Sequence, residues 1–268
     1  MTSKLDNLMN LSGRRAMITG ASGHLGQTMC ETLAKLGADV ILLDLRENGL
    51  TEIADRLAAD FGAKVEIRVV DLEDEEQIVS FCSDLKKDGR PLDILVNNAA
   101  FVGTSNLDGW IGPFEEQSSE AWRRALEVNL TSNFILVQQC QSMLEASGHG
   151  SIINVASIYG IVGPDTGLYA GTKMGNPAAY AVSKGGLIQF TRWLSTVLAP
   201  KIRVNAISPG GVFRNQDAAF INRYEARTPL KRMATEEDFR GVTAFLASDM
   251  SAYITGQNIV VDGGWSVW

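Results

Sequence analysis

Short apolar runs alternate with stretches of helical periodicity along nearly the whole chain. The runs at Arg15–Thr19, Asp39–Leu43, Lys64–Val70, Ile94–Asn97, Ser151–Ala156, Lys201–Ile207 and Asn258–Val261 are short, and most are continuously apolar. Strands covered on both faces read this way, whereas half-exposed strands alternate apolar and polar positions. Between them, Leu50, Ile53, Ala54, Leu57, Ala58 and Phe61 recur at three- and four-residue spacing, as do Ile78, Phe81, Cys82 and Leu85. That stripe belongs to a helix lying on a sheet. Helix starts carry marks of their own. Asp71 precedes Glu73, Asp74, Glu75 and Glu76, acids that favour the positive end of a helix dipole, and Thr235 with Asp238 has capping-box spacing. The alternation runs without repeat or linker. It predicts one α/β domain over 1–268: a doubly wound, parallel, seven-stranded sheet with right-handed crossovers and helices on both faces.

The first predicted strand opens into Thr19-Gly20-Ala21-Ser22-Gly23-His24-Leu25-Gly26, followed by a helix with Leu25, Met29, Leu33 and Leu36 on one face. Glycines there permit a tight turn and let a pyrophosphate approach backbone N–H groups at the helix start. Gly20, Ser22, Gly23, His24, Leu25 and Gly26 are therefore candidate dinucleotide contacts in a Rossmann-type fold. Asp44 ends the second strand, where a carboxylate accepts both hydroxyls of an adenosine ribose and repels a 2′-phosphate. That favours NAD, with NADP second because Arg46 stands two residues on. Asp71 and Leu72 end the third strand, where the acid either meets the adenine amino group or caps the next helix.

Composition narrows the field. Hydrophobic residues make up 45% and charged residues 21%, enough apolar content for a full core. The net charge of -7 argues against a nucleic-acid partner. Residues 1–11 lack an apolar core of signal-peptide length, and no stretch approaches the roughly 20 apolar residues of a membrane span. Cys30, Cys82 and Cys140 are odd in number, with no CxxC, and read as reduced core residues of a cytoplasmic protein. Only His24 and His149 are present, so neither a histidine-rich metal site nor a Ser-His-Asp triad is expected.

Asn97-Asn98-Ala99-Ala100, Asn129 within Val128-Asn129-Leu130, Ser157 after a strand, Tyr180-Ala181-Val182-Ser183-Lys184, and Pro209-Gly210 after a strand follow in that order. With the glycine turn, this set resembles the short, single-domain branch of the short-chain dehydrogenase/reductase family, from about Arg14 to Gly264. The resemblance implies hydride transfer between a nicotinamide and a carbonyl or alcohol carbon. It implies Tyr180 as proton donor and acceptor, with Lys184 lowering its pKa and holding the nicotinamide ribose. Ser157 would bond the substrate oxygen, and Asn129 would hold a relay water. Asn98, Ala99, Pro209, Gly210 and Val212 join the cofactor contacts. The chemistry is sound on its own terms, since a phenol titrating near 10 needs a shift of about 3 units to work at neutral pH, and a lysine four residues on shares its helical face.

Two departures stand out. The short branch carries TGxxxGxG, which would put glycine at position 24, where this chain has His24; Gly20, Gly23 and Gly26 instead match the TGxxGxxG of the longer, sugar-nucleotide-modifying branch. Ser157 and Tyr180 are 23 residues apart, about twice the family's usual spacing, and the insertion contains a second YxxxK, Tyr169 with Lys173. Gly171, Gly175 and Pro177 interrupt that copy, whereas Tyr180 begins a long helical run. The insertion reads as an extra wall of the substrate pocket or an oligomer contact. Ending Asn176-Pro177-Ala178-Ala179-Tyr180, it also resembles oxidoreductases of flagellin modification and nonulosonic-acid pathways.

Substrate loops are expected at about 101–116, 160–178 and 211–232. In the last, Arg214, Arg223, Arg227, Lys231 and Arg232 outweigh Asp217 and Glu225, suggesting a polar, sugar-like or anionic substrate. The family's habit implies a homodimer or homotetramer built on the helices flanking the fifth strand. Trp265 and Trp268 are expected to bury against a neighbour. The alternatives are an NADPH-dependent 3-oxoacyl-carrier-protein reductase, a non-catalytic dinucleotide-binding regulator, and a sugar-nucleotide epimerase or dehydratase.

Overall fold

The computed structural model describes residues 4–102, 105 and 107–268. Seven strands, β1 (Arg15–Thr19), β2 (Asp39–Asp44), β3 (Val65–Val69), β4 (Ile94–Asn97), β5 (Gly150–Val155), β6 (Ile202–Pro209) and β7 (Asn258–Val261), form one sheet in the order β3-β2-β1-β4-β5-β6-β7. Every neighbouring pair is parallel. The short helix α1 (Lys4–Met9) precedes β1, and α2 (His24–Lys35), α3 (Leu50–Phe61) and α4 (Glu75–Lys87) connect the first four strands. α5 (Ser119–Leu126) and α6 (Ser132–Ser147) lie between β4 and β5, and α7 (Ala178–Val197) between β5 and β6. α8 (Ala218–Arg227) and α9 (Arg240–Ala247) precede β7.

Two-residue periodicity along the buried strands supplies both faces. Ile18, Leu42, Val96 and Ile153 pack with Met29 and Leu33 of α2, Leu57 of α3 and Leu246 of α9. Their neighbours Met17, Ile41, Leu95 and Ile152 pack on the other face with Phe81 of α4, Leu136 of α6 and Leu194 of α7. The edge strand β3, with a neighbour on one side only, carries Glu66 and Arg68 between apolar residues.

The predicted strands are all present, with ends moved by at most two residues. Three local expectations change. Asp74, not Asp71, caps α4 by accepting from Gln77 N at 3.1 Å; the Asp71 carboxylate accepts from Glu73 N within the preceding turn. His24 opens α2 rather than lying inside the glycine turn. Thr235 and Asp238 do form a capping box, but around a 3₁₀ turn, Glu236–Phe239, that runs on into α9. All three cysteines are buried thiols, with Cys82 and Cys140 Sγ atoms 3.9 Å apart across α4 and α6. Trp265 is fully buried by its own chain, stacked on Tyr224 at 5.7 Å with the Arg227 guanidinium 4.2 Å over its ring, so it needs no neighbour to cover it. Trp268 stays 69% exposed, its indole donating to Arg227 O.

Candidate functional site

The carboxyl ends of β1 and β4 adjoin where the strand order reverses, and a crevice opens there in doubly wound sheets. Thr19, the last residue of β1, holds its two walls together: its hydroxyl accepts from Asn98 N and Ala99 N at 3.0 Å each, and Asn98 Nδ2 donates to Thr19 O and Gly20 O. Gly20 adopts φ +64°, and a Cβ on it would lie 2.9 Å from Ala99 Cα. Gly26 is tighter still, since its Cβ would stand 2.1 Å from Gly20 O. This close packing brings the N-terminus of α2 against the crevice. Gly23 caps that helix with no side-chain hydrogen bond, leaving the positive helix end to an external anion.

Asp44 ends β2 beside the same turn. One of its oxygens accepts from Ser22 N at 2.9 Å and Ser22 Oγ at 2.8 Å, the other from Leu45 N at 2.7 Å. Arg46 is exposed on the turn beyond. Leu72 is buried and Asp71 half-buried past the end of β3. A glycine-cradled, uncapped helix end with a carboxylate at the next strand end fits a dinucleotide. The candidate contacts from Gly20 to Asp71 and Leu72 all lie at these carboxyl strand ends.

Across the sheet, β5 is followed directly by Ala156 and Ser157. Ser157 is buried and caps the 3₁₀ turn Ile158–Gly160, its hydroxyl accepting from Tyr159 N at 3.2 Å. Gly160 then presses onto α7, where a Cβ would meet Lys184 C at 2.7 Å. Proline 177 caps α7, so Tyr180 falls in the first turn and Lys184 one turn further on the same face. Lys184 Nζ donates to Val155 O at 2.7 Å and lies 5.9 Å from the Tyr180 ring centre. Burial pushes the Tyr180 phenol above its usual range, and the Ser157 hydroxyl pulls it back. Burial also draws the Lys184 ammonium down to about 7.

That last shift has a stability consequence. A lysine whose folded pKa lies below its unfolded value, near 10.4, opposes folding wherever it must carry charge, fully below about pH 7 and not above about pH 10. Lys184→Met is therefore expected to unfold at a higher temperature than wild type below pH 7, with the gain shrinking as pH rises to 10. Thermal melts at several pH values check it; a variant less stable at pH 6 contradicts it.

Asn129 is fully buried in a single π-helical turn, Glu127–Thr131, between α5 and α6. Its amide accepts from Phe101 N at 2.7 Å and donates to Phe101 O and to Ser183 Oγ, and its carbonyl takes Asn133 Nδ2. The side chain thus ties the loop after β4 to α7. Ser183, Thr19 and Gly160 are the residues that motif reading missed: Thr19 sat inside the quoted glycine turn, and Gly160 carried no signal beyond being glycine.

Pro209 closes β6, and Gly210 has no room for a Cβ against Asp262 Cα at 2.8 Å. Gly211 N donates to the Tyr224 hydroxyl, and Val212 bridges to Ala234. The positive lid beyond is largely spent within the chain. Arg214 pairs with Glu236, Arg227 with Asp165 and Arg232 with Asp238, while Arg223 donates to Leu168 O and Ala170 O and Lys231 to Ala226 O. Three of these five cations are thus paired with carboxylates, while Arg223 and Lys231 meet only backbone carbonyls and keep their charge.

The insertion folds over this region. Asp165, Leu168 and Tyr169 meet α8 and the C-terminal segment, and Tyr169 hydrogen bonds Tyr159, hydroxyl to hydroxyl, at 2.6 Å. Tyr169 lies in a 3₁₀ turn, Thr166–Tyr169, and Lys173 lies beyond it in non-helical chain, so this second YxxxK does not share a helical face. The loop after β4 meets the insertion's other end, where Gln117 Oε1 accepts from Ala178 N at 2.9 Å. Among the described residues no cluster of acids, histidines and cysteines could hold a metal, and no helix is long and apolar enough to cross a membrane.

Comparison with known proteins agrees with this geometry. A family model described as enoyl-(acyl carrier protein) reductase matches residues 20–266. The chain is 34% identical over 255 residues to trans-4-hydroxycyclohexanecarboxylate dehydrogenase of Sinomonas cyclohexanicum, covering 93% of this chain and 91% of that one. It is 29% identical to the post-translational flagellin modification protein A of Campylobacter coli, over 96% of this chain and 100% of that one. A crystal structure of gluconate 5-dehydrogenase from Burkholderia cenocepacia J2315, in complex with NADP and tartrate, superposes with a TM-score of 0.86 at 28% identity, covering 98% and 99% of the two chains. The chain belongs to the short-chain dehydrogenase/reductase family. It is an NAD(P)-dependent oxidoreductase acting on CH–OH groups.

Proposed function

We propose that the protein oxidises a secondary alcohol of a small, hydroxylated substrate, or reduces the matching carbonyl, with NAD(H) as its preferred cofactor. The observation that carries this reading is the convergence of Ser157, Tyr180 and Lys184 beside a glycine-cradled helix end, with Asp44 turned toward that end. The bound nicotinamide supplies the hydride acceptor or donor. Gly20, Gly23, His24, Leu25 and Gly26 frame the pyrophosphate, and Ser22 holds Asp44 for the adenosine ribose. Asp71, Leu72, Asn98, Ala99, Pro209, Gly210 and Val212 complete the binding walls.

The Ser157 hydroxyl orients the substrate oxygen, and the Tyr180 oxygen takes or returns its proton. Burial keeps Tyr180 protonated and Lys184 near neutrality in the free protein. The pair is therefore poised so that added positive charge beside it favours the phenolate. Asn129 acts by position, holding the Phe101 loop against Ser183, and can keep a relay water within reach of Lys184. The loops at 101–116, 160–178 and 211–232 enclose the substrate. Tartrate in the gluconate dehydrogenase complex and the hydroxy acid of the Sinomonas enzyme support a polar, hydroxylated substrate class. Assembly as a homodimer or homotetramer would cover the apolar face formed by Phe134 of α6 and Val182 and Trp193 of α7.

The expected result is NADH formation when NAD is offered with polyols or hydroxy acids, read by absorbance, and far less with a sterol or long-chain alcohol. Turnover confined to the latter would overturn the substrate class.

A further inference from the structure

At one rim of the crevice three side chains meet on a single carboxylate oxygen, and the binding scheme above uses only one of them. Glu236 Oε1 lies 2.7 Å from Arg214 Nη1 and 3.7 Å from His24 Nδ1. His24 is the first residue of α2, directly after Gly23, which caps the helix without a side chain. Arg214 follows Val212 by two residues, in the segment that leaves β6. Arg214 can therefore be no farther from the His24 ring than those two contacts laid end to end.

The backbone fixes this meeting. Val212 and Ala234 form a parallel bridge, Phe213 N donates to Ala234 O at 2.8 Å, and Ala234 N donates to Gly211 O at 2.9 Å. The start of the lid thus runs beside the chain that leads into Glu236. The 3₁₀ turn Glu236–Phe239 in its turn packs along α2: Phe239 is buried in the same cluster as Met29 and Leu33, and Arg240 pairs with Glu31 at 2.8 Å. Glu236 therefore spans from the lid to the helix end that receives the pyrophosphate. The side chains of Arg214 and Glu236 are 25% and 31% exposed, so neither is locked in the core and the guanidinium is free to change partners.

We propose that Arg214 is a further ligand of the dinucleotide's diphosphate, held off it in the free protein by Glu236, and that Glu236 thereby limits dinucleotide affinity. The proposal rests on the dinucleotide site described above. A diphosphate offers the guanidinium more negative charge than one carboxylate does, and it lies at a positive helix end that adds to the attraction. The exchange leaves the Glu236 carboxylate beside a bound anion, where like charges oppose binding. A dehydrogenase must release one form of its dinucleotide on every turnover, so a built-in competitor for the diphosphate's cation favours release at a cost in affinity.

The test is a fluorescence titration with NADH of wild type, Glu236→Gln, Arg214→Gln, Arg214→Lys and Glu237→Gln, with melting curves to confirm folding. Glu236→Gln, which keeps the size and removes the charge, is expected to bind NADH at least about fivefold more tightly, and Arg214→Gln at least about fivefold more weakly. Arg214→Lys, which keeps the charge, should lose less than Arg214→Gln. Glu237→Gln, one residue on and paired with Arg240 instead, should change the affinity by less than about twofold. The opposite signs are the signature, because a bridge that merely braced the crevice would weaken binding when either end is removed. Unchanged or weaker binding by Glu236→Gln, wild-type binding by Arg214→Gln, or equal tightening by Glu237→Gln would overturn the proposal. Failure of the wild type to bind NADH would instead overturn the dinucleotide site beneath it.

Discussion

Tyr180→Phe is expected to lower kcat by about 10³-fold, within the range for loss of a positioned general acid or base. Tyr169→Phe, at the rival YxxxK, should lower kcat by less than about tenfold, with its cost in KM. The contrast follows from what surrounds each phenol. Tyr180 has a buried lysine one helical turn away and the Ser157 hydroxyl beside it. Tyr169 has the Tyr159 phenol, the Phe220 ring and no helix to bring Lys173 round to it. Burial pushes Tyr169 upward, and what pulls it back is the Tyr159 hydrogen bond rather than a cation. Steady-state rates of the two variants on one alcohol substrate decide the matter. Equal losses would mean the insertion shares the proton chemistry.

Gly26→Ala is expected to cost at least about 100-fold in dinucleotide affinity, near 2.7 kcal/mol, and to lower the melting temperature. The added methyl would sit 2.1 Å from Gly20 O and 3.0 Å from Ala21 Cα, both backbone atoms of the turn itself. Relief requires the turn to move away from α2, which removes the cradle. Gly23→Ala should be milder, since its Cβ meets only Gly20 O, at 3.2 Å. Titration of both variants with NADH, with melting curves alongside, separates the two. Equal binding by Gly26→Ala and wild type would show that the turn does not hold the cofactor.

Much of this was legible in sequence because the signals are local. Seven apolar runs became seven strands, since a strand covered on both faces can carry few polar residues. Tyr180 was separable from Tyr169 because glycines and a proline leave a visible break in helical periodicity. What sequence could not supply was the distant partner. Nothing in the Arg214–Arg232 segment reveals that Glu236, Asp165 and Asp238 wait to pair with its arginines. Likewise Trp265 gave no hint that its own chain would enclose it between Tyr224 and Arg227. The capping alternative for Asp71 failed at shorter range, because Asp74 is equally able to cap and stands directly before Glu75. Gly160 is a further case: its need to be glycine comes from the Lys184 backbone, 24 residues away in sequence.

The most direct test of the account is a side-by-side fluorescence titration of the wild-type protein with NADH and NADPH. Asp44, fixed by Ser22 beside the glycine turn, predicts at least tenfold tighter binding of NADH, about 1.4 kcal/mol. Tighter binding of NADPH would mean that Arg46 governs the pocket, and binding of neither would contradict the assignment of this crevice as the dinucleotide site.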